Sequence, residues 1–254
     1  MIEIIFYISI IAFFCEYIDS TLGMGYGTTL TPLLLLIGYS PLEIVPAVLL
    51  SEFVTGISAG FFHHQFKNVD LNTHSNDFKV ASVLAICSIV GVIIAVFLAV
   101  NIPKKILKLY IGILVLVIGI LILMSYNKTY IFSWKKIIGI GTLASFNKGI
   151  SGGGYGPLVC GGQILSGVDA KPAIGITSFA EGLTCFVGVI IYLLSGYAIP
   201  WGTLTPSIVL GSVLSVPFAT YTVSKINTKK MKLLIGVSII TLGIFTISKT
   251  IGFF

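Results

Sequence analysis

Long apolar runs separated by short polar stretches dominate this chain. A bilayer-spanning helix needs about 20 consecutive apolar residues, and eight runs come close to that length. The polar stretches between them are too short to form a soluble domain. The pattern therefore predicts an all-α, polytopic membrane helix bundle of about eight spans. The predicted spans are 2–18, 43–64, 77–100, 105–125, 133–147, 172–195, 201–223 and 231–253.

The composition supports the membrane class. Hydrophobic residues make up 56% of the 254 positions and charged residues only 9%, whereas an average soluble domain is about a quarter charged. One soluble core of this length would leave much of that apolar surface in water. A soluble enzyme, a disordered chain and a disulfide scaffold are therefore excluded. We expect a multi-pass protein of the cell membrane, with the lipid bilayer as its main partner.

The positive net charge of +6 does not indicate nucleic acid. All fifteen basic residues are lysines, and most lie between apolar runs, where they anchor helix ends at the headgroups. No basic stripe with interleaved aromatic residues offers a surface for stacking bases. No cysteine pair or histidine cluster has metal-ligand spacing, and no Walker A motif occurs, so no metal or cofactor is predicted. A homo-oligomer remains open.

The two halves of the chain resemble each other. Glycine clusters at 23–27 and 152–156 are related by an offset of 129 residues, and each precedes a short apolar piece, 28–38 or 157–167. The segments 102–120 and 226–244 match at an offset of 124. These matches predict two transmembrane repeats, residues 1–126 and 127–254. Each would contain four helices and one glycine-interrupted segment.

A pair of glycine-interrupted hydrophobic segments in matching positions is typical of secondary transporters. Glycine allows backbone to approach a ligand closely, and the N–H groups that begin a half-helix suit an anion. Close helix packing alone is the alternative explanation of these glycines. The predicted residues that bind a small anionic substrate are Gly23, Gly25, Gly27, Thr28, Lys148, Gly152, Gly153, Gly154 and Gly156.

The two interrupted segments also resemble a known family. They read DSTLGMGYGTTLTPLLLLIGYSP at 19–41 and NKGISGGGYGPLVCGGQILSGVDAKPAIGITS at 147–178. A glycine cluster, a proline and an apolar run ending in glycine, all occurring twice, is similar to the TauE/SafE family, also called the sulfite exporter or 4-toluene sulfonate uptake permease family. This resemblance implies transport of sulfite, organosulfonates, or related small sulfur-containing or carboxylate anions. The family's Thr-Ser pair is matched by Thr177 and Ser178 but replaced by Val48 and Leu49 in the first half.

Charged residues inside apolar spans are functional candidates, because charge in a bilayer is costly. Asp19 and Lys148 occupy equivalent positions, each just before a glycine cluster. They are expected either to pair with each other near a pseudo-two-fold axis or to leave Lys148 free to meet the anion. A purely structural ion pair is the alternative.

Two glutamates, Glu52 and Glu181, are matched at the same offset. Because burial favours the neutral form of a carboxyl group, both are candidate proton carriers. A structural acid bonded to the broken backbone is the alternative. Glu16 lies one turn before Asp19, and repulsion there favours protonation of one of them. The predicted coupling or gating residues are Asp19, Glu52 and Glu181.

A serine hydrolase and a non-transporting membrane scaffold are the two alternatives to a transporter. The segment 149–153 matches the G-x-S-x-G pattern of serine hydrolases, but that pattern needs a strand–turn–helix context and a base. No histidine follows His74, and Ser151 is matched by Leu22 in the first half. A non-transporting membrane scaffold is the remaining alternative, although embedded charges argue for more than packing.

The orientation of the two repeats is left open by the sequence. If each interrupted segment crosses the membrane once, the repeats are parallel and the lysines divide eight against six. If each segment instead enters and returns, the repeats are inverted and the division becomes ten against four. The positive-inside rule favours the inverted arrangement, whereas the matched lysine-rich loops fit the parallel one more simply.

Overall fold

The computed structural model describes residues 2–24, 26–39, 41–98, 104–124, 127, 130–151, 155–194, 199–202 and 204–252. Within these ranges the secondary structure is entirely helical, which confirms the all-α prediction. The helices are α1 (Ile2–Leu22), α2 (Tyr26–Ile37), α3 (Pro41–Gln65), α4 (Asn76–Leu98), α5 (Lys104–Met124), α6 (Trp134–Ser151), α7 (Tyr155–Leu165), α8 (Ala170–Leu194), α9 (Leu204–Lys225) and α10 (Thr228–Ile251).

Four helices in the described ranges are long and apolar enough to cross a membrane. They are Glu43–Gln65 in α3, Ala170–Leu194, Leu204–Lys225 and Thr228–Ile251. By contrast, α2 has 12 residues and α7 has 11. At 1.5 Å per residue these two helices extend less than about 20 Å, so neither crosses a hydrocarbon core of about 30 Å. The chain is therefore a helical membrane protein with two short internal helices.

The first short helix runs back along the helix that precedes it. Along the contact between α1 and α9, residue numbers increase together in the two helices. Ser9 Oγ contacts the Ser207 carbonyl at 2.9 Å, and further along Tyr17 contacts Thr222 at 2.8 Å. Contacts between the α3 region and α9 ascend in the same way, from Ser51 with Ser212 to Asn68 with the Thr220 carbonyl. Helices α1, α3 and α9 are therefore parallel to one another.

The direction of α2 follows from its contacts with α3. Only three residues separate the end of α2 at Ile37 from Pro41, where α3 begins. At the other end of α2, a Cβ on Gly27 would lie 3.1 Å from Glu52 Oε1, three turns into α3. Helix α2 is thus antiparallel to α3, and therefore also to α1. Together α1 and α2 form a helical hairpin whose tip includes Gly23 and Met24.

The second short helix turns back in the same way. The Ser133 N–H donates to the Ser166 carbonyl at 3.1 Å, and a Cβ on Gly162 would lie 2.5 Å from Ile140. The end of α7 is therefore level with the beginning of α6. Together α6 and α7 form a second hairpin, and residues 152–154, which separate the two helices in sequence, lie outside the described part of the chain.

The two hairpins are embedded in separate buried clusters. Tyr26, Leu30 and Leu34 of α2 belong to the cluster formed with α1, α3 and α9. Tyr155 and Leu158 of α7 belong to the cluster formed with α4, α5, α8 and α10. Helix α7 is therefore buried along nearly its whole length, whereas α2 is buried on one face and exposes Leu33 and Ile37 on another.

Close antiparallel contacts join the two halves at their centre. A Cβ on Gly56 of α3 would lie 2.7 Å from Gly182 Cα of α8, so the two backbones touch there. Helices α5 and α10 meet in the same antiparallel sense, with Gly112 against Ile247 and Gly119 against Ile240. Small residues at such crossings permit the backbone approach that packing in a bilayer favours.

Candidate functional site

The two hairpin tips meet in the middle of the molecule. Gly23 ends α1 with a left-handed φ of +73°, and its N–H donates to the Asp19 carbonyl at 2.6 Å. A Cβ on Gly156 would lie 2.6 Å from the Gly23 carbonyl oxygen and 2.9 Å from Met24 Cα. Glycine is therefore required at position 156 by contact and at position 23 by conformation. The structure brings these two predicted substrate-binding residues together.

Asp19 caps the N-terminus of α2. The Tyr26 N–H, which opens that helix, donates to Asp19 Oδ1 at 3.2 Å. A carboxylate at this position satisfies a backbone donor and complements the positive end of the helix dipole. The Asp19 carboxyl group therefore already occupies the N-terminus of α2, where an anionic ligand would otherwise bind. The predicted pairing of Asp19 with Lys148 involves a side chain outside the described part of the structure.

Glu52 lies beside the start of α2 and reaches the opposite half. Its Oε1 faces Gly27, whose absent side chain leaves room for the carboxylate. Its Oε2 accepts a hydrogen bond from the buried Cys185 thiol of α8 at 3.2 Å. Glu52 is only half-buried. This predicted coupling residue therefore sits at the first tip and contacts the helix that carries Glu181.

Glu181 is half-buried on α8, one turn before Cys185. The other predicted residues fall partly or wholly outside the described structure. For Thr28 and Lys148 the backbone is described but the side chain is not, and Gly25, Gly152, Gly153 and Gly154 are outside altogether.

Glu16 is an additional buried acid near the first tip. It is 2% exposed, and Ser20 Oγ donates to its Oε1 at 2.6 Å. Its other oxygen, Oε2, has no hydrogen-bond partner among the described residues. Its charge would be repelled by those of Asp19 and Glu52. The sequence signal for Glu16 is an acid in an apolar span, but it has no acidic counterpart in the second half.

Gln163 is a polar residue toward the end of α7, away from the second tip, and no sequence motif marks it. It is fully buried on α7, and its Nε2 donates to Thr177 Oγ1 at 2.8 Å. Its Oε1 and the Ser178 hydroxyl have no hydrogen-bond partner among the described residues. The Thr-Ser pair of the second half therefore lies beside a buried amide. The equivalent of Gln163 in the first half is Leu34, so the repeat could not reveal it.

Comparison with known proteins identifies the family of this chain. The family model "Sulfite exporter TauE/SafE" matches residues 8–246, nearly the whole chain. A curated relative, "Probable membrane transporter protein YtnM" of Bacillus subtilis (strain 168), is 28% identical over 247 residues, covering 91% of this chain and 79% of the relative. No solved structure matches the chain significantly. The chain belongs to the sulfite exporter TauE/SafE family of membrane transporter proteins.

Proposed function

We propose that this chain is a secondary transporter that moves a small anion across the cell membrane. The substrate class is sulfite, an organosulfonate, or a related sulfur-containing or carboxylate anion. The observation that carries the proposal is the contact of the two hairpin tips, Gly23 against Gly156, at the centre of the bundle. Family membership and the transporter name of the Bacillus relative support it.

The charged residues at the two tips favour anion binding at the second tip. At the first tip, Asp19 already occupies the start of α2. At the second tip, the equivalent position carries Lys148, followed by Gly152, Gly153 and Gly154. A lysine and glycine N–H groups at the start of a half-helix are complementary to an oxyanion. Lys148 would thus contribute charge, and Gly152–Gly156 would contribute backbone donors.

We also propose that the chain is an inverted duplication, with three crossings and one hairpin in each half. Equivalent helices begin at equivalent residues: α2 and α7 at Tyr26 and Tyr155, α3 and α8 at Pro41 and Ala170. The turns after the short helices contain Gly38 and Gly167, which are 129 positions apart and both left-handed, with φ of +109° and +93°. Equivalent helices α3 and α8 run antiparallel, as inversion requires.

This arrangement supports a particular orientation in the membrane. With two returning hairpins, ten lysines lie on the side of the 66–75 loop and four on the opposite side, while Lys148 is internal. Lysine-rich ends favour the cytoplasm. The 66–75 loop therefore faces the cytoplasm, and both ends of the described chain face outward.

Proton coupling is the proposed role of the matched acids. Glu52 and Glu181 would carry or gate the proton, and Asp19 would gate by holding the first tip. The position of Glu52 between Gly27 of the tip and Cys185 of α8 supports this role. A change in the charge of Glu52 would alter its interactions with both α2 and α8. A secondary transporter of this kind needs no nucleotide.

Flux measurements in proteoliposomes test the proposal. Uptake and efflux of labelled sulfite, a sulfonate and a carboxylate would be measured with and without a proton gradient, for the wild type, Lys148→Ala and Glu52→Gln. Matched controls are Lys135→Ala and Glu43→Gln, exposed residues on the same two helices. We expect Lys148→Ala to raise the half-saturation concentration by roughly tenfold or more, the value of a lost charge-assisted hydrogen bond.

The outcomes separate the parts of the proposal. Glu52→Gln should lower gradient-driven flux while leaving exchange of anion for anion. No flux of any of the three anions would overturn the transporter. Flux that ignores the proton gradient would overturn the coupling but leave transport standing.

A further inference from the structure

Tyr26 ties the first hairpin tip to a helix of the other half. It is the first residue of α2 and is 1% exposed. Its hydroxyl lies 2.7 Å from Ser51 Oγ, which lies 2.7 Å from Ser212 Oγ of α9. Because the Ser212 hydroxyl donates to the Ile208 carbonyl, Ser51 donates to Ser212, and Tyr26 donates to Ser51. The tip is thus anchored through a directed chain of hydroxyls.

Tyr155 anchors the second tip in the equivalent way. It is the first residue of α7 and is also 1% exposed. Ser88 Oγ of α4 donates to its hydroxyl at 2.8 Å, and Ser145 Oγ of α6 lies 3.2 Å from Ser88 Oγ. One residue further along α7, Gly156 touches the first tip. The anchored residue is therefore adjacent to the meeting point of the two tips.

The two anchors are equivalent in sequence as well as in space. Tyr26 and Tyr155 are related by the offset of 129, and Ser88 and Ser212 by the offset of 124 that relates the ends of the halves. Tyr155 therefore contacts a serine of the first half directly, and Tyr26 reaches a serine of the second half through Ser51. Two unrelated packing contacts would not be expected to recur at both offsets.

A tyrosine hydroxyl has no carbonyl of its own helix within reach, unlike a serine, so when buried it needs a partner from elsewhere in the fold. The phenol ring also extends far from the helix axis. Fixing its outer end fixes the rotation of the short helix about that axis, and hence the direction of the N–H groups at its beginning. At the second tip these groups would face the anion, and at the first tip the Tyr26 N–H meets Asp19.

We propose that Tyr26 and Tyr155 are a matched pair of positioning residues that hold the two touching hairpin tips in place around the anion site. Tyr155 is held by Ser88 of the first half, and Tyr26 is held through Ser51 by Ser212 of the second half. This inference rests on the proposed anion site between the tips. Neither hydroxyl is required to touch the substrate. Loss of an anchor lets the short helix rotate, so the N–H groups no longer point at one place.

Conservative variants test the anchors. Tyr155→Phe and Tyr26→Phe remove only the hydroxyl, and Tyr17→Phe is the matched control. Tyr17 also bonds a hydroxyl of α9, Thr222 at 2.8 Å, but lies along α1 rather than at a tip. Initial rates of anion uptake would be measured against anion concentration in proteoliposomes, together with thermal unfolding of the same proteins in detergent.

We expect each tip variant to raise the half-saturation concentration about three- to tenfold, the effect of one hydrogen bond, with a smaller change in maximal rate. Tyr17→Phe should leave the half-saturation concentration unchanged. Ser88→Ala should reproduce Tyr155→Phe, and the double variant should be no worse than either single one, because both remove the same bond.

The possible results are distinguishable. An unchanged half-saturation concentration in both tip variants would overturn the positioning role, as would an equal change in Tyr17→Phe. Lower thermal stability with unaltered half-saturation would mean that the anchors are only structural, which also overturns it. Absence of flux in the wild type would instead count against the proposed function, whatever the variants do.

Discussion

Gly156 at the start of α7 lies directly against Gly23 at the end of α1, so closely that a Cβ on Gly156 would come within 2.6 Å of the Gly23 carbonyl oxygen. The two residues are 133 positions apart in the chain. Each belongs to a glycine cluster that ends a long helix and begins a short one. Their contact brings the two helix breaks together.

Gly156→Ala should therefore force the tips apart. A backbone atom cannot move aside as a flexible side chain can, and overpacking of this kind typically costs about 1–3 kcal/mol. We expect lower thermal stability and a clear loss of anion flux. The matched control is Gly139→Ala on α6, where an added Cβ meets nothing within 4 Å. A Gly156→Ala protein with wild-type stability and flux would contradict the contact.

Asp19 should behave as a helix cap in stability measurements. Asp19→Asn keeps an oxygen acceptor for the Tyr26 N–H, whereas Asp19→Ala removes it and should cost about 1 kcal/mol. Thermal unfolding in detergent measures the difference. Equal destabilisation by Asn and Ala would argue against capping. Anion flux through Asp19→Asn then reports separately whether the negative charge is needed for gating.

Glu16 should tolerate replacement by its neutral isostere. A buried carboxylate with an oxygen that lacks a partner in the described structure is costly to ionise. Glu16→Gln should therefore shift stability by less than about 1 kcal/mol, because the amide oxygen still accepts from Ser20. Glu16→Ala should cost more, since it leaves both a cavity and an unpaired Ser20 hydroxyl. Thermal unfolding of the two variants distinguishes the cases, and a severe defect in Glu16→Gln would mean that the charge itself is required.

The proposed topology predicts the position of the two turns that follow the short helices. Reporters fused after Gly38 and after Gly167 should lie on opposite sides of the membrane, with Gly167 on the cytoplasmic side. Single cysteines in a cysteine-free background, at Asn72 and at Gly202, would give an independent reading with a membrane-impermeant reagent. In this case Gly202 should be labelled from outside and Asn72 should be protected. Reporters on the same side would contradict the inverted duplication.

Much of this architecture is predictable from local sequence properties. Apolar runs near the length of a bilayer identify the helices, because burial in lipid is decided by the residues of each run. The glycine clusters likewise identify the ends of α1 and α6, since the loss of helix there is a local effect of Gly23 and its counterparts. The boundaries of α3 and α8 lie within about two residues of the predicted spans.

The sequence was less informative about polar residues that lack a matched partner. Glu52 and Glu181 are predicted as coupling residues because they recur at one offset. Gln163 was not found, since its equivalent is Leu34, and a single glutamine in an apolar run gives no sign of what it contacts. Its hydrogen bond to Thr177 depends on how α7 packs against α8.

What the sequence by itself determined is the membrane class and the places where the helices break. Only the tertiary structure decided that α2 and α7 turn back, that Gly23 meets Gly156, and that each tip tyrosine is linked to the other half through serine hydroxyls. The direction a chain takes after a glycine is not set by that glycine. It is set by packing against helices far away in sequence, such as α9 beside α1, where Ser9 and Ser207 meet across 198 positions.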